Sequence, residues 1–148
     1  MMIKTVLSVA LLAASAVADY KCTTNLGSFN IKSSWATAAR DNGKNTTNSK
    51  SGFPHTFGGG SGSGTTQLTF YGADPKCNEK KPKLYEFPIM KDGSKYNKNE
   101  KHSVTETPVR VVYLQDKNLT LCGVMTHVIE DKKTHKGTGD FRVCDATK

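Results

Sequence analysis

Four residues of this 148-residue chain carry acid, base and anion-binding chemistry: His55, Glu86, Arg110 and His127. Each sits among apolar neighbours on a strand-like segment, in the runs GFPHTF (52–57), LYEFPI (84–89), PVRVVY (108–113) and LCGVMTH (121–127). A carboxylate, a guanidinium and an imidazole on one surface make an acid–base pair with an anion clamp, a site for phosphate chemistry. Burying such groups without compensation is costly, so four of them on one face point to function. The set suits cleavage of RNA by its own ribose. A carboxylate takes the 2′-hydroxyl proton, a histidine on the opposite side protonates the departing 5′-oxygen, and cations hold the phosphate. Each positioned acid or base contributes roughly 10²–10⁴-fold, and the arginine and second histidine stabilise charge developing on the phosphorus oxygens. The scheme calls for no metal and no other cofactor.

Competing chemistries fit less well. Glycoside hydrolysis needs two carboxylates across the bond, and Glu86 has no evident strand-borne partner. There is no G-x-S-x-G elbow for a serine nucleophile, and no HExxH or zinc-type Cys/His spacing. The glycine run GGGSGSG (58–64) lacks the following helix and the Lys-Ser/Thr of a phosphate-binding loop, and reads as a mobile loop.

Three segments must position the site: KLYEFPIM (83–90), PVRVVYL (108–114) and LTLCGVMTHV (119–128). Each is rich in aromatic or β-branched residues and bounded by turn formers, the pattern of a strand. Side chains alternate faces along a strand. Tyr85, Phe87 and Ile89 therefore share one face and Glu86 takes the other. Val109, Val111 and Tyr113 oppose Arg110, and Cys122, Val124, Thr126 and Val128 oppose Met125 and His127. If the strands are neighbours in one antiparallel sheet, the apolar faces meet a core and Glu86, Arg110 and His127 meet on the reverse. SSWATAARDNG (33–43) predicts one helix of two to three turns with a serine N-cap, Trp35 packed on the sheet and Gly43 as its stop. Short strands are expected at 19–22, 65–71 (TTQLTFY) and 140–144, with lysine-rich loops at 72–83 and 91–108 and a turn at 131–139. The loop 91–108 reads equally as a solvated loop or an RNA contact. One helix and five or six strands make an α+β domain, a twisted antiparallel sheet on one short helix with long surface loops.

Residues 1–18, with Lys4, an apolar run from Val6 to Ala14 and Ala16-Val17-Ala18, read as a secretory signal peptide. The run falls short of the ~20 residues that span a bilayer. The remainder, 19–148, is long enough for one domain with a real core. Its cysteines, Cys22, Cys77, Cys122 and Cys144, allow three disulfide connectivities. With Cys22 and Cys144 near the two ends, the nested pairing 22–144 and 77–122 is favoured. The outer bridge is worth about 5 kcal/mol in the chain-entropy treatment. Asn45 and Asn118 begin glycosylation sequons. The net charge of +8, one less without Lys4, points to an anionic partner such as nucleic acid or an acidic surface.

GFPHTF, LYEFPI, PVRVVY and LCGVMTH, in that order and near those spacings, resemble the small fungal guanyl-preferring ribonucleases. They are still more similar to the fungal ribotoxins, the sarcin, restrictocin and hirsutellin group. The likeness covers essentially all of 19–148, and the four cysteines and the basic charge strengthen it. CGVMTH (122–127) and the compact length look most like the hirsutellin type. The resemblance implies the microbial ribonuclease fold and supports the nested disulfides. It implies Glu86 as general base, His127 as general acid, His55 as electrostatic helper and Arg110 as phosphate clamp. Phe53, Phe57 and Phe141 become aromatic candidates for substrate contact, Phe141 beside the phosphate. It further implies a 2′,3′-cyclic phosphate product, one cut in the sarcin–ricin loop of large-subunit rRNA, arrested protein synthesis, and for some members passage across acidic membranes. The expected protein is secreted, monomeric and metal-free.

Two departures bear on activity. Phe53 stands where the family carries Tyr, or Asp in the hirsutellin type, and offers the phosphate no hydroxyl or carboxylate. The run 58–64 replaces the stretch that grips guanine in the small ribonucleases, and sarcin's long basic loops are abbreviated. A general extracellular ribonuclease of the same fold, and an RNA-binding effector with little turnover, are the alternative readings.

Overall fold

The computed structural model describes residues 18–62, 66–102 and 106–147. The expected leader, apart from Ala18, lies outside the described residues, as do Ser63 to Thr65. Two antiparallel sheets are present. The smaller joins β1 (Tyr20–Thr24), β2 (Gly27–Ile31) and β8 (Asp145–Ala146) in the order β2-β1-β8. The larger runs β3-β4-β5-β6-β7, from β3 (His55–Phe57) through β4 (Leu84–Ile89), β5 (Val109–Leu114) and β6 (Leu121–Glu130) to β7 (Gly137–Val143). The three segments expected to hold the site are thus its central strands. β2 and β8 are additions to the expected set, β3 falls in the strand-like run 52–57, and β7 begins within the segment expected to be a turn.

One face of the large sheet carries Phe87, Ile89, Val109, Val111, Tyr113 and Val124, all buried against α1 (Ser33–Gly43) and the small sheet. Small residues on α1 allow close approach. A Cβ on Gly43 would stand 2.7 Å from both Phe87 and the Tyr113 hydroxyl, and that hydroxyl donates to the Lys44 carbonyl at 2.6 Å. Gly43 therefore belongs to the helix as a packing residue, with the chain turning at Lys44. The serine cap is replaced by a distant one: Lys32 precedes the first turn without a side-chain bond, and the Ser33 amide donates to Asp19 Oδ1 at 3.0 Å. Asp19 thereby supplies negative charge at the helix N-terminus. Trp35 is half-buried against the core and over Gly93.

The reverse face is divided. One end holds a second apolar cluster of Phe57, Phe70, Cys77, Leu84, Val112, Leu114, Cys122 and Met125. Cys122 was expected on the helix side, but Val112 faces Gly123 while Tyr113 faces Leu121. This bulge makes Cys122 the extra residue and delivers it to the second cluster. There it bonds Cys77, while Cys22 bonds Cys144, the nested pairing. The lid over the cluster is the segment from 66 to 83. The strand expected at 65–71 does not form within the described residues: Gln67 makes a single bridge to Gly60. Phe70 instead exchanges backbone bonds with the Asn78 side chain, at 2.8 and 2.9 Å. The segment crosses over the sheet, so side-chain amides satisfy its backbone where a neighbouring strand would have. The start of the glycine run is paired as well. Ser61 N–H donates to Thr66 O and Leu68 N–H to Gly59 O, both at 2.8 Å.

Candidate active site

The uncovered end of the reverse face holds the four residues picked out by spacing. Arg110 is the centre, opposite Pro88 on β4 and Met125 on β6. Glu86 and His127 occupy the two diagonal positions on either side, Glu86 two residues from Pro88 and His127 two residues from Met125. Diagonal neighbours on a sheet lie within reach of long side chains, so the carboxylate and the imidazole approach Arg110 from opposite directions. β3 begins at His55, directly opposite Glu86. Past that pair β4 has no strand neighbour on this edge among the described residues, which accommodates Pro88 and its missing N–H.

His55 Nδ1 lies 3.3 Å from Glu86 Oε1, with the imidazole half-exposed and the carboxylate largely buried. Glu86 Oε2 is buried without a hydrogen-bond partner. Arg110 is buried, and its Nη1 donates to the Thr107 carbonyl at 2.6 Å and the Val109 carbonyl at 3.0 Å, while Nε has no partner. Burial pushes the guanidinium pKa down, and Glu86, Tyr96 and Glu106 act against that shift. No direct ion pair joins Arg110 to Glu86 among the described residues. Their charges are therefore free to share a third party.

His127 is oriented by β7. Its Nδ1–H donates to the Gly139 carbonyl at 3.0 Å, and its ring lies on Phe141, centroids 4.0 Å apart. Because a carbonyl only accepts, the Nδ1 proton is fixed and Nε2 is the nitrogen left for proton transfer. Gly137 makes this closure possible: a Cβ there would meet His127 Cδ2 at 2.5 Å and Pro108 Cα at 2.7 Å. Burial lowers the His127 pKa; Gly139 raises it, Arg110 lowers it further and Glu86 raises it.

The aromatic candidates divide. Phe53, preceding a cis peptide to Pro54, is 5% exposed; it stacks on His55 at 4.0 Å, and the Arg110 guanidinium lies 5.0 Å from its ring. It is a wedge between two site residues. Phe57 is buried in the second cluster, 6.0 Å from Phe141, and supports Phe141 from below, leaving Phe141 beside His127.

A family model described as ribonuclease matches residues 19–145. The chain belongs to the ribonuclease family. No protein of curated function matches its sequence. Among solved structures, it is similar to the solution structure of the cytotoxic ribonuclease alpha-sarcin at 20% identity, with a TM-score of 0.63. The match covers 86% of this chain and 98% of that one, and establishes a shared α+β fold.

Three further features escaped the sequence reading. Tyr96, from the lysine-rich loop, is 4% exposed, with its ring against Phe53 and Phe87. It is the one aromatic residue in 91–108, and a lone aromatic in a polar run was the available signal. His102 sets its ring edge toward Phe53 at 6.4 Å. Glu130, at the end of β6, is a second strand-borne carboxylate, but it is fully buried and engaged by Lys91, His135 and Thr24. No cluster of three or more metal-binding side chains occurs among the described residues.

Proposed function

We propose that this ribonuclease is a secreted, ribotoxin-like endoribonuclease that severs a phosphodiester of the sarcin–ricin loop in large-subunit rRNA and so stops translation. Glu86 accepts the 2′-hydroxyl proton, the 2′-oxygen bonds to phosphorus, and the bond to the 5′-oxygen breaks as that oxygen takes the proton from His127 Nε2. The products are a 2′,3′-cyclic phosphate and a free 5′-hydroxyl. Arg110 clamps the phosphate with His55 as the electrostatic helper beside Glu86. The observation that carries this reading is the arrangement around Arg110: an unsatisfied Glu86 oxygen and an uncommitted His127 nitrogen on opposite diagonals. In-line displacement requires a base and an acid on opposite sides of phosphorus.

The basic charge suits an RNA partner and the ribosome surface, with acidic membranes as a further contact. The leader at 1–18 delivers the monomeric enzyme outside its producer. Asn45 and Asn118 are both exposed, as glycosylation would require. A second reading, a general extracellular ribonuclease, is favoured by the loop at 72–83. Cys77 pins it to β6, so the loop is held against the sheet.

Intact ribosomes and naked RNA distinguish the readings. A discrete large-rRNA fragment from ribosomes supports the ribotoxin, and indiscriminate degradation supports the general ribonuclease. Bound but uncut RNA overturns both.

A further inference from the structure

A guanidinium that grips a phosphate must be aimed before the phosphate arrives, so the group that holds its inner nitrogen decides its reach. For Arg110 that group is the peptide of Thr107. Nη1 donates to the Thr107 carbonyl at 2.6 Å, a shorter bond than the one to the Val109 carbonyl at 3.0 Å. Thr107 stands two residues ahead of β5, outside the ladder, yet its backbone is not left to turn. The residue is 3% exposed, and its hydroxyl donates to the Ile89 carbonyl, at the end of β4, at 2.7 Å. The same hydroxyl accepts from the Val109 amide at 3.3 Å. Donor and acceptor capacity are both used, and the approach to β5 is tied to β4.

Pro108 adds a second restraint. Its ring confines the preceding residue to extended backbone, which limits the directions in which the Thr107 carbonyl can point. Its own carbonyl accepts from the His127 amide at 2.9 Å, and its Cα lies against Gly137, where a Cβ would stand 2.7 Å away. One dipeptide therefore holds the clamp through its first carbonyl and the backbone of the acid through its second.

We infer that Thr107 is a positioning residue for RNA cleavage: its hydroxyl, bonded to the Ile89 carbonyl, fixes the peptide that aims the Arg110 guanidinium at the phosphate. Thr107 is too deeply buried to touch substrate and acts through Arg110, so the inference rests on the ribonuclease mechanism proposed above. Valine would fill nearly the same space but would take this partner from the Ile89 carbonyl and the Val109 amide. The peptide would then lose the bond that sets its direction, and the guanidinium would follow it.

Thr107→Val tests it, with melting temperature and the kinetics of naked ribosomal RNA cleavage per folded molecule read on the same preparation. The expected result is a melting temperature lowered by about 4 °C, kcat lowered about tenfold and KM within about twofold. Thr107→Ser keeps the hydroxyl and is expected to hold kcat within about twofold of wild type, although it loses a buried methyl. Thr107→Ala removes the hydroxyl without setting a methyl against the Ile89 carbonyl. It should lower kcat as valine does, and it carries the test if Thr107→Val does not fold. In an Arg110→Lys background, Thr107→Val lowers the residual rate less than about twofold, because the group it acts through is already changed. An unchanged kcat in the valine and alanine variants overturns the inference and leaves the hydroxyl a purely structural bond. An equal fall in Thr107→Ser, or a full fall that persists in Arg110→Lys, overturns it as well. Wild-type protein that cuts no RNA overturns the mechanism itself; wild-type cleavage matched by Thr107→Val overturns this inference alone.

Discussion

Two buried glutamates on this sheet, each paired with a histidine, have opposite surroundings. Glu130 is saturated: Lys91 Nζ donates to its two oxygens at 2.9 and 3.1 Å, His135 lies at 3.0 Å and the Thr24 hydroxyl donates at 3.2 Å. Lys91 also lies 4.2 Å from the Phe29 ring, tying β2 into the cluster. Glu86 has one contact, to His55 at 3.3 Å, and one oxygen with none. Each carboxylate ends up away from water, which is costly without partners. The saturated pair has its compensation within the fold and works as a staple. The unsaturated one is left with bonding capacity for a ligand. Identical residue types at two places on one sheet are thus separated by the count of satisfied oxygens, one committed to the fold and the other, in the proposed mechanism, left for chemistry.

The largest effect should come from removing the unsaturated carboxylate's basicity. Glu86→Gln is expected to lower RNA cleavage about 10³-fold with the melting temperature unchanged or raised; a rate within tenfold of wild type would break the contrast. His127→Gln is expected to lose about 10²-fold or more by removing the acid, with RNA affinity retained in a filter-binding assay. Glu130→Ala should do the reverse. Unfolding free energy is expected to fall by about 2 kcal/mol, below the 3–5 kcal/mol of a fully buried pair because Lys91 and His135 are partly hydrated. Activity per folded molecule should stay within about twofold, and urea titration with parallel assays reads both quantities.

Smaller effects sharpen the comparison through pH. Burial raises the Glu130 pKa, but Lys91, His135 and Thr24 outweigh it and leave the net value lowered. A carboxyl depressed in the folded state adds stability above its unfolded pKa, and that stability is lost as pH falls through the folded one. Wild type and Glu130→Ala should therefore converge in stability below the ordinary glutamate range, and a constant difference down to strongly acid pH would contradict the staple. At the site, burial holds the His127 pKa below its ordinary value. The acid must be protonated, so kcat/KM should decline on the alkaline side at a pH below the usual ~6.5 of histidine. A decline centred above that value would remove His127 from the role of acid.

Much of the site was legible because strand alternation is rigid arithmetic. Once β4, β5 and β6 are neighbours, Glu86, Arg110 and His127 must share a face, and their types are those the proposed chemistry uses. What alternation could not convey was a one-residue bulge, and that bulge sent Cys122 to the opposite face. The segment 65–71 has the composition of a strand because Leu68 and Phe70 pack on the sheet, yet its backbone found partners in the Asn78 amide, which periodicity does not register. Tyr96 was hidden by its neighbourhood, since a run of lysines and asparagines reads as solvated even when its one aromatic residue turns inward. Phe53 was recognised as a departure from the family pattern, but its role as a wedge between His55 and Arg110 needed coordinates.

In the proposed mechanism Glu86 and His127 act on one phosphodiester held by Arg110. Mass spectrometry of the fragment ends from RNA digested by wild type and by Glu86→Gln tests it most directly. Wild type is expected to yield 2′,3′-cyclic phosphate ends paired with 5′-hydroxyl ends, and the variant almost no fragments. Fragments ending in 3′-hydroxyl and 5′-phosphate, or an equal yield of cyclic ends from Glu86→Gln, would contradict it.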